Sequence, residues 1–339
     1  MPCPVHFTQQ PNHHKNYNEM HFGNTGRAFA IVTPVGKNPA EADRIDDLID
    51  SLEAHEPGRY WFVMVNDGLD PSLYRDRISS RLRDRFLEIE NPRRGRGDGW
   101  AAGCAVGVLA GLQHVVHSGY PVDFVLKLDT DALAIAPFSE TISAELKKDP
   151  GIGILGQVRD PSTPETKKEQ MTPLGYAMDK LMQQLTVWRK TPLGPPKLQI
   201  GFFGDSRVIR NTLRFAFVKG ARVGEHCYGG AYAISRRCCE ALYRSGLLRK
   251  PTIWLRTPLP EDILISFCTQ SLGYSLKDLS QPGELFAVKY QGLPAGPAEL
   301  VTAGRSLIHS VKDFGPLKER DTRSYFRARR TGAAVRSLA

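Results

Sequence analysis

At 339 residues, 41% of them hydrophobic and 24% charged, the chain can bury a large core as one α/β domain or two smaller ones, and this composition folds without covalent staples. The six cysteines (Cys3, Cys104, Cys227, Cys238, Cys239 and Cys268) form no CxxC pair and no zinc spacing, which argues against structural zinc and for buried thiols in a reducing compartment. Lys and Arg number 45 against 36 Asp and Glu; the net +9 favours phosphate, anionic lipid or nucleic acid as partners, and equally fits solvated basic faces.

Residues 1–26 are polar with scattered His and Pro and lack the basic start and apolar run of a secretory signal. They are expected to be loosely ordered and the protein cytoplasmic, with peripheral contact at an inner membrane open to it through its basic end. Apolar runs closed by turn residues then alternate with helical patterns, which predicts a mostly parallel, Rossmann-like sheet flanked by helices. Strands are expected at 28–33, 60–65, 86–89, 124–128 and 152–155. A helix near 43–54 sets Ile45, Leu48, Ile49 and Leu52 on one face, toward the sheet. The run 75–96 carries eight Arg against four acids. The apolar segment 100–116 has Gly at 103, 107 and 111 and ends near Gln113 and His114, so it predicts a buried helix and not a membrane span. The stretch 157–197, rich in Pro, Lys and Gln, reads as an insertion with a helix around 176–188. A strand at 232–235, a helix at 236–245 and a helix at 262–272 behind Pro260 follow. The main domain is expected over 27–315, and 316–339 forms a basic tail with seven Lys or Arg against two acids.

Ligands of open α/β sheets bind outside the carboxyl ends of the strands, so polar residues at strand exits come first. Thr33-Pro34, Asn66-Asp67-Gly68 and Asp129-Thr130-Asp131 are three such exits, able to line one crevice. Two carboxylates one residue apart can converge on a hard divalent cation, Mg²⁺ or Mn²⁺, with positions left for phosphate oxygens. Taken alone, the same three residues also fit a solvated acidic turn.

The order of these motifs resembles that of GT-A glycosyltransferases over about residues 28–312. Ala30-Ile31-Val32-Thr33-Pro34 is similar to that superfamily's first strand, Val65-Asn66-Asp67-Gly68 to its second strand end, and Leu128 to Asp131 to its DxD element. The resemblance implies a GT-A domain whose insertion at 157–197, with the region 202–224, shapes the acceptor side. It also implies a hexosyltransferase-class enzyme using Mn²⁺ or Mg²⁺ and a nucleotide-sugar donor, UDP-sugar by family habit, with a glycan, lipid-linked or small-molecule acceptor and no specific nucleic-acid partner. Under it, Asp67, Thr33, Pro34 and Thr130 contact the nucleotide, Asp131 ligates metal, and Asp129 touches ribose or the metal shell. Gly229, Gly230 and Tyr232, in Gly229-Gly230-Ala231-Tyr232, correspond to the glycine-rich acceptor segment, which also fits a turn into a buried strand. Pro260-Glu261-Asp262 resembles the family's ED motif, with Asp262 as base for an inverting transfer and Glu261 orienting acceptor or metal shell; a plain helix cap is the other reading. His309 in Ile308-His309-Ser310-Val311-Lys312 corresponds to a late metal-shell histidine, and Lys312 to a diphosphate contact, although a lone His is also often structural. Arg93, Arg94 and Arg96 are lesser phosphate candidates.

Two rivals share single features. A haloacid-dehalogenase-like phosphatase would use Asp129 as nucleophile, but Gly204-Asp205 is not followed by its further acid, and about 100 residues of α/β pattern precede the DxD. A sugar nucleotidyltransferase needs a Gly-rich loop after strand one, where Val35-Gly36-Lys37 offers one glycine.

Overall fold

A computed structural model describes residues 28–162 (except 98 and 100), 187–189, 197–199 and 207–332 (except 223 and 258). In chain order the strands are β1 (Phe29–Val35), β2 (Tyr60–Asn66), β3 (Phe86–Glu90), β4 (Phe124–Leu128), β5 (Leu133–Ala134), β6 (Ile152–Arg159), β7 (Val187–Arg189), β8 (Lys197–Gln199), β9 (His226–Ser235), β10 (Ser275–Asp278), β11 (Phe286–Val288) and β12 (Leu307–His309). The helices are α1 (Ala40–His55), α2 (Arg75–Leu82), α3 (Ala102–His117), α4 (Ser139–Lys148), α5 (Arg207–Val218), α6 (Arg236–Arg244), α7 (Glu261–Ser271), α8 (Pro297–Thr302) and α9 (Glu319–Thr331).

The first strands are apolar throughout because both their faces are covered. Ala30, Val32, Val63 and Val65 belong to one buried layer with Val108, Leu109 and Leu112 of α3, and Phe29, Ile31, Phe62 and Met64 to another with Ile45, Leu48 and Leu52 of α1. The resulting seven-stranded sheet has the order β10-β6-β9-β4-β1-β2-β3. Pairing is parallel between β1 and β2, β1 and β4, β2 and β3, and β6 and β10; β9 runs antiparallel to β4 and β6. This is the expected α/β class, with the chain order reversing beside β1 and opening a crevice at the carboxyl ends of β1, β2 and β4. A second sheet, β11-β12-β5, returns the chain to the residues just past β4.

Three expectations change. The strand at 232–235 begins at His226, since the glycines before it are in the ladder. Val187 and Trp188, expected in a helix, belong to β7, which pairs with β8; residues 176–186 of that helix lie outside the described residues, as does 1–26. The two basic runs are largely consumed internally. Arg75, Arg77, Arg81, Arg85 and Arg93 pair with Glu88, Asp46, Asp50, Glu53 and Asp67, so the first run is not an open polyanion face. Past Gly315, where a basic tail was expected, α9 docks Arg323, Arg327 and Arg330 on the buried Asp47 of α1. No helix among the described residues is long and apolar enough to cross a membrane.

Candidate active site

The exit of β4 is a tight turn in which the Ala132 amide donates to Asp129 O at 3.0 Å, and the Asp129 amide donates across to Gly230 O of β9 at 3.0 Å. From the second sheet, the end of β12 delivers His309 to the same place, tied by the Val311 amide, which donates to Asp131 O at 3.0 Å. Ligand atoms of Asp129, Asp131 and His309 lie within 4.8 Å of one another. The imidazole Nε2 stands 3.4 Å from Asp131 Oδ1 and 3.6 Å from Asp129 Oδ2. Its other nitrogen, Nδ1, is 2.8 Å from the Lys289 carbonyl, an acceptor only, so Nδ1 keeps a proton whatever the charge of the ring, and Nε2 is the nitrogen that faces the two carboxylates and would hold an ion on giving up its proton.

A Cβ on Gly230 would fall 2.0 Å from His309 Nδ1, and one on Gly229 2.8 Å from Glu261 Oε2 and 3.2 Å from Asp262 Cβ. The glycine pair therefore makes room for the imidazole on one side and the two acids on the other. Tyr232 is not an acceptor contact: it is 1% exposed and its hydroxyl donates to Glu261. Thr130 is also buried, and its hydroxyl, expected at the nucleotide, donates to Glu41.

The residue that sequence reasoning missed is Lys127. It interrupts the apolar run Phe124-Val125-Leu126-Lys127-Leu128 and is only 1% exposed, and that buried charge in a strand is the signal that was available. Its ammonium donates to Asp129 Oδ1 at 2.7 Å and to the Gly229 carbonyl, and stands 3.5 Å from Glu261 Oε2. Burial opposes its charge, but Asp129 and Glu261 outweigh burial and hold it protonated. Lys127 thus joins the metal-type cluster to the acids that open α7.

The electrostatics of the cluster follow from its burial. Desolvation alone would raise the Asp131 carboxyl, but His309, Lys312 and the Ser310 hydroxyl that donates to it prevail, and Asp131 sits well below the usual carboxylate range. Lys312, half exposed, reaches Asp131 Oδ2 at 3.3 Å. Burial pulls the His309 imidazole down, but Asp131 and Asp129 raise it. Glu261, buried beside Lys127, Asp262 and Asp129, is pushed up to about 7, burial being the main cause. Asp262 accepts the Ile263 amide at Oδ1 and points Oδ2 toward His226 Nε2 at 3.8 Å, leaving it partly open to solvent.

On the other side of β1, Asp67 lines a cavity of about 490 Å³ with Asn66, Gly68, Glu88 and Arg94. Its carboxylate also accepts from Arg93, at 2.7 Å from Nε and again from Nη2. Arg93 is therefore tied to Asp67 and to the carbonyls of Arg96 and Gly97 at 3.0 and 2.7 Å, in place of the phosphate contact expected of it. Thr33 is buried at the exit of β1 with its hydroxyl oxygen unpartnered, and Pro34 follows it.

Fold and site together define an α/β protein with a candidate divalent-metal centre of two carboxylates and one imidazole at the carboxyl ends of its strands. No family model and no curated protein matches the chain. Among solved structures, it is similar to galactosyltransferase LgtC in complex with donor and acceptor sugar analogs, at 12% identity and TM-score 0.48, over 91% of this chain and 98% of that one. It is also similar to mannosyltransferase PcManGT from Pyrobaculum calidifontis in complex with GDP-Man and Mn²⁺, at 15% identity, TM-score 0.37 and 74% of this chain, spanning 54% of the mannosyltransferase. A third likeness is to the bifunctional glycosyltransferase WbbM, at 11% identity and TM-score 0.43, over 86% of this chain and 47% of that one. These overlaps are loose, and the side chains of the site carry the functional reading.

Proposed function

We propose that this protein is a metal-dependent GT-A-type glycosyltransferase that moves a sugar from a nucleoside diphosphate donor to an acceptor hydroxyl. The observation that carries this reading is the convergence of Asp129, Asp131 and His309 within 4.8 Å, beside a second acid pair that Lys127 links to it. Two hard oxygen donors and one imidazole whose Nε2 is turned inward suit Mn²⁺ or Mg²⁺, and the missing Cβ of Gly230 is what lets the ring stand there. When bound, such an ion neutralises the diphosphate as it leaves.

The chain's own residues supply the rest. Lys312, half exposed at the rim, adds positive charge beside the diphosphate, and the 490 Å³ cavity next to Asp67 is large enough for a nucleoside. Each Asp67 oxygen keeps a second lone pair after Arg93 is served, so a ribose or base donor can be accepted there. Asp262, the more open acid at the start of α7, takes the acceptor's proton as its oxygen attacks the anomeric carbon, which gives inversion. Glu261 is too buried to meet the acceptor and holds Lys127 and Tyr232 instead. UDP-sugar is the first donor class to test, and the acceptor is a hydroxyl of a glycan, a lipid-linked sugar or a small molecule.

A panel of nucleotide sugars with Mn²⁺, read by nucleotide release and by thermal stabilisation, tests the reading. One donor should stabilise the protein only with metal present and release its nucleoside diphosphate. Phosphate release from a sugar phosphate, with no response to any nucleotide sugar, would replace this reading with the phosphatase.

A further inference from the structure

Five side chains and one carbonyl close a ring behind the metal-type turn. The Thr130 carbonyl accepts from Arg323 Nη2 at 3.3 Å, and Arg323 Nε donates to Glu319 Oε1 at 2.9 Å. Glu319 Oε2 accepts from Arg44 Nη2 at 2.6 Å, and Arg44 Nη1 donates to Glu41 Oε1 at 2.7 Å. Glu41 Oε2 then accepts from the Thr130 hydroxyl, so the path begins and ends on one residue. Thr130, Arg323 and Glu41 are all buried. Arg323 is itself fixed by Nη1, which donates to Asp47 Oδ2 at 2.7 Å, and the fully buried Asp47 also accepts from Arg327 and Arg330. The same helix inserts Phe326 into an apolar cluster with Leu133, Ile308 and Val311, the residues that flank Asp131 and His309 in the chain.

Thr130 lies between Asp129 and Asp131, so rotation of its backbone moves both carboxylates at once. Metal ligation tolerates only a few tenths of an ångström in the positions of its donors. A charged, closed ring that grips this one residue by its carbonyl and its hydroxyl restricts that rotation, and four of its five members (Arg323, Glu319, Arg44 and Glu41) are distant from the turn in the chain. We propose that the C-terminal helix α9 is a clamp that sets the metal-binding turn, with Arg323 as its positioning residue acting through Thr130; this rests on the metal reading of Asp129, Asp131 and His309. The basic stretch past Gly315 is then part of the active-site support.

Titration with Mn²⁺ alone, followed by electron paramagnetic resonance of the free ion, tests the clamp on the full chain. Melting of each variant is recorded in parallel. Arg323→Met should weaken Mn²⁺ binding about 10- to 100-fold, the range for partners behind a metal ligand, and Arg323→Lys should restore part of it by keeping the Asp47 pair. Arg327→Ala removes another pair from Asp47 without touching Thr130; it should lower the melting temperature and leave Mn²⁺ affinity within about twofold, well under that range. If Arg323→Met does not fold, Thr130→Val, which removes only the hydroxyl link to Glu41, should still loosen Mn²⁺ several-fold. Wild-type affinity in Arg323→Met or in Thr130→Val overturns the clamp while leaving the metal site standing. An equal loss in Arg327→Ala overturns it too, since general destabilisation would then account for the effect. A wild-type protein that takes up no Mn²⁺ overturns the metal reading, and the clamp with it.

Discussion

Replacing Lys127 by Met removes a charge of nearly the same shape as its substitute and leaves its three partners behind. Asp129 Oδ1 loses a 2.7 Å donor, the Gly229 carbonyl loses its donor, and Glu261 loses the cation 3.5 Å away. Breaking one side of a buried ion pair costs about 3–5 kcal/mol. Two features bring this site to that range's lower bound or below it: Asp129 is 30% exposed and can be hydrated, and Glu261, already pushed up to about 7, can take a proton. A loss of about 2–3 kcal/mol follows, equivalent to a fall in melting temperature of about 4–9 °C if each kcal/mol is worth about 2–3 °C in a chain of this size. Urea and thermal unfolding of Lys127→Met, Glu261→Gln and the double variant give the coupling directly. The double variant should recover at least about 1 kcal/mol relative to the sum of the singles. Additive losses, or a melting temperature unchanged in Lys127→Met, would refute the role assigned to this lysine.

Asp262→Asn should cut sugar transfer to the acceptor about 10²- to 10⁴-fold while metal-dependent stabilisation by donor persists; transfer at the wild-type rate would reject Asp262 as base. Gly230→Ala places a Cβ 2.0 Å from the His309 ring, so the ring must move; a stability loss of about 1–3 kcal/mol and weaker Mn²⁺ binding are expected, by melting and by titration, and unchanged Mn²⁺ binding would contradict the cradle. Glu261 has its folded pKa raised from 4.5 to about 7, so the folded state binds its proton more tightly than the unfolded one. Its contribution to stability is full below about 4.5 and is lost as pH rises through about 7. The stability of wild type relative to Glu261→Gln should therefore decline over that window in metal-free buffer, and a flat difference would show that Glu261 titrates at its ordinary value.

Much of the sheet was legible because β1 and β2 are apolar runs closed by polar exits and β4 is one broken only by Lys127, a pattern fixed by burial on both faces. The start of β9 was not, because Gly229 and Gly230 carry no side-chain pattern and owe their place to His309 and Glu261, far away in sequence. Asp129 and Asp131 could be found from their spacing at a strand exit, whereas His309 was found through resemblance, since nothing local distinguishes it from a structural histidine. Lys127 was hidden by the apolar residues around it. Helix α9 was read as a tail because its charges dominated, although Arg323, Phe326, Arg327 and Arg330 recur at helical spacing. Thr130 and Tyr232 were assigned outward by family pattern, and only the tertiary structure turns them inward.

A crystal of the full chain grown with Mn²⁺ and a nucleoside diphosphate, with data collected at the manganese absorption edge, locates the ion against Asp129, Asp131 and His309. One anomalous peak is expected about 2.0–2.3 Å from a carboxylate oxygen of Asp131 and from His309 Nε2, with Asp129 in the same shell or one water away and the diphosphate on the open side. A peak elsewhere, or nucleotide bound with no ion between these three side chains, would contradict the metal reading.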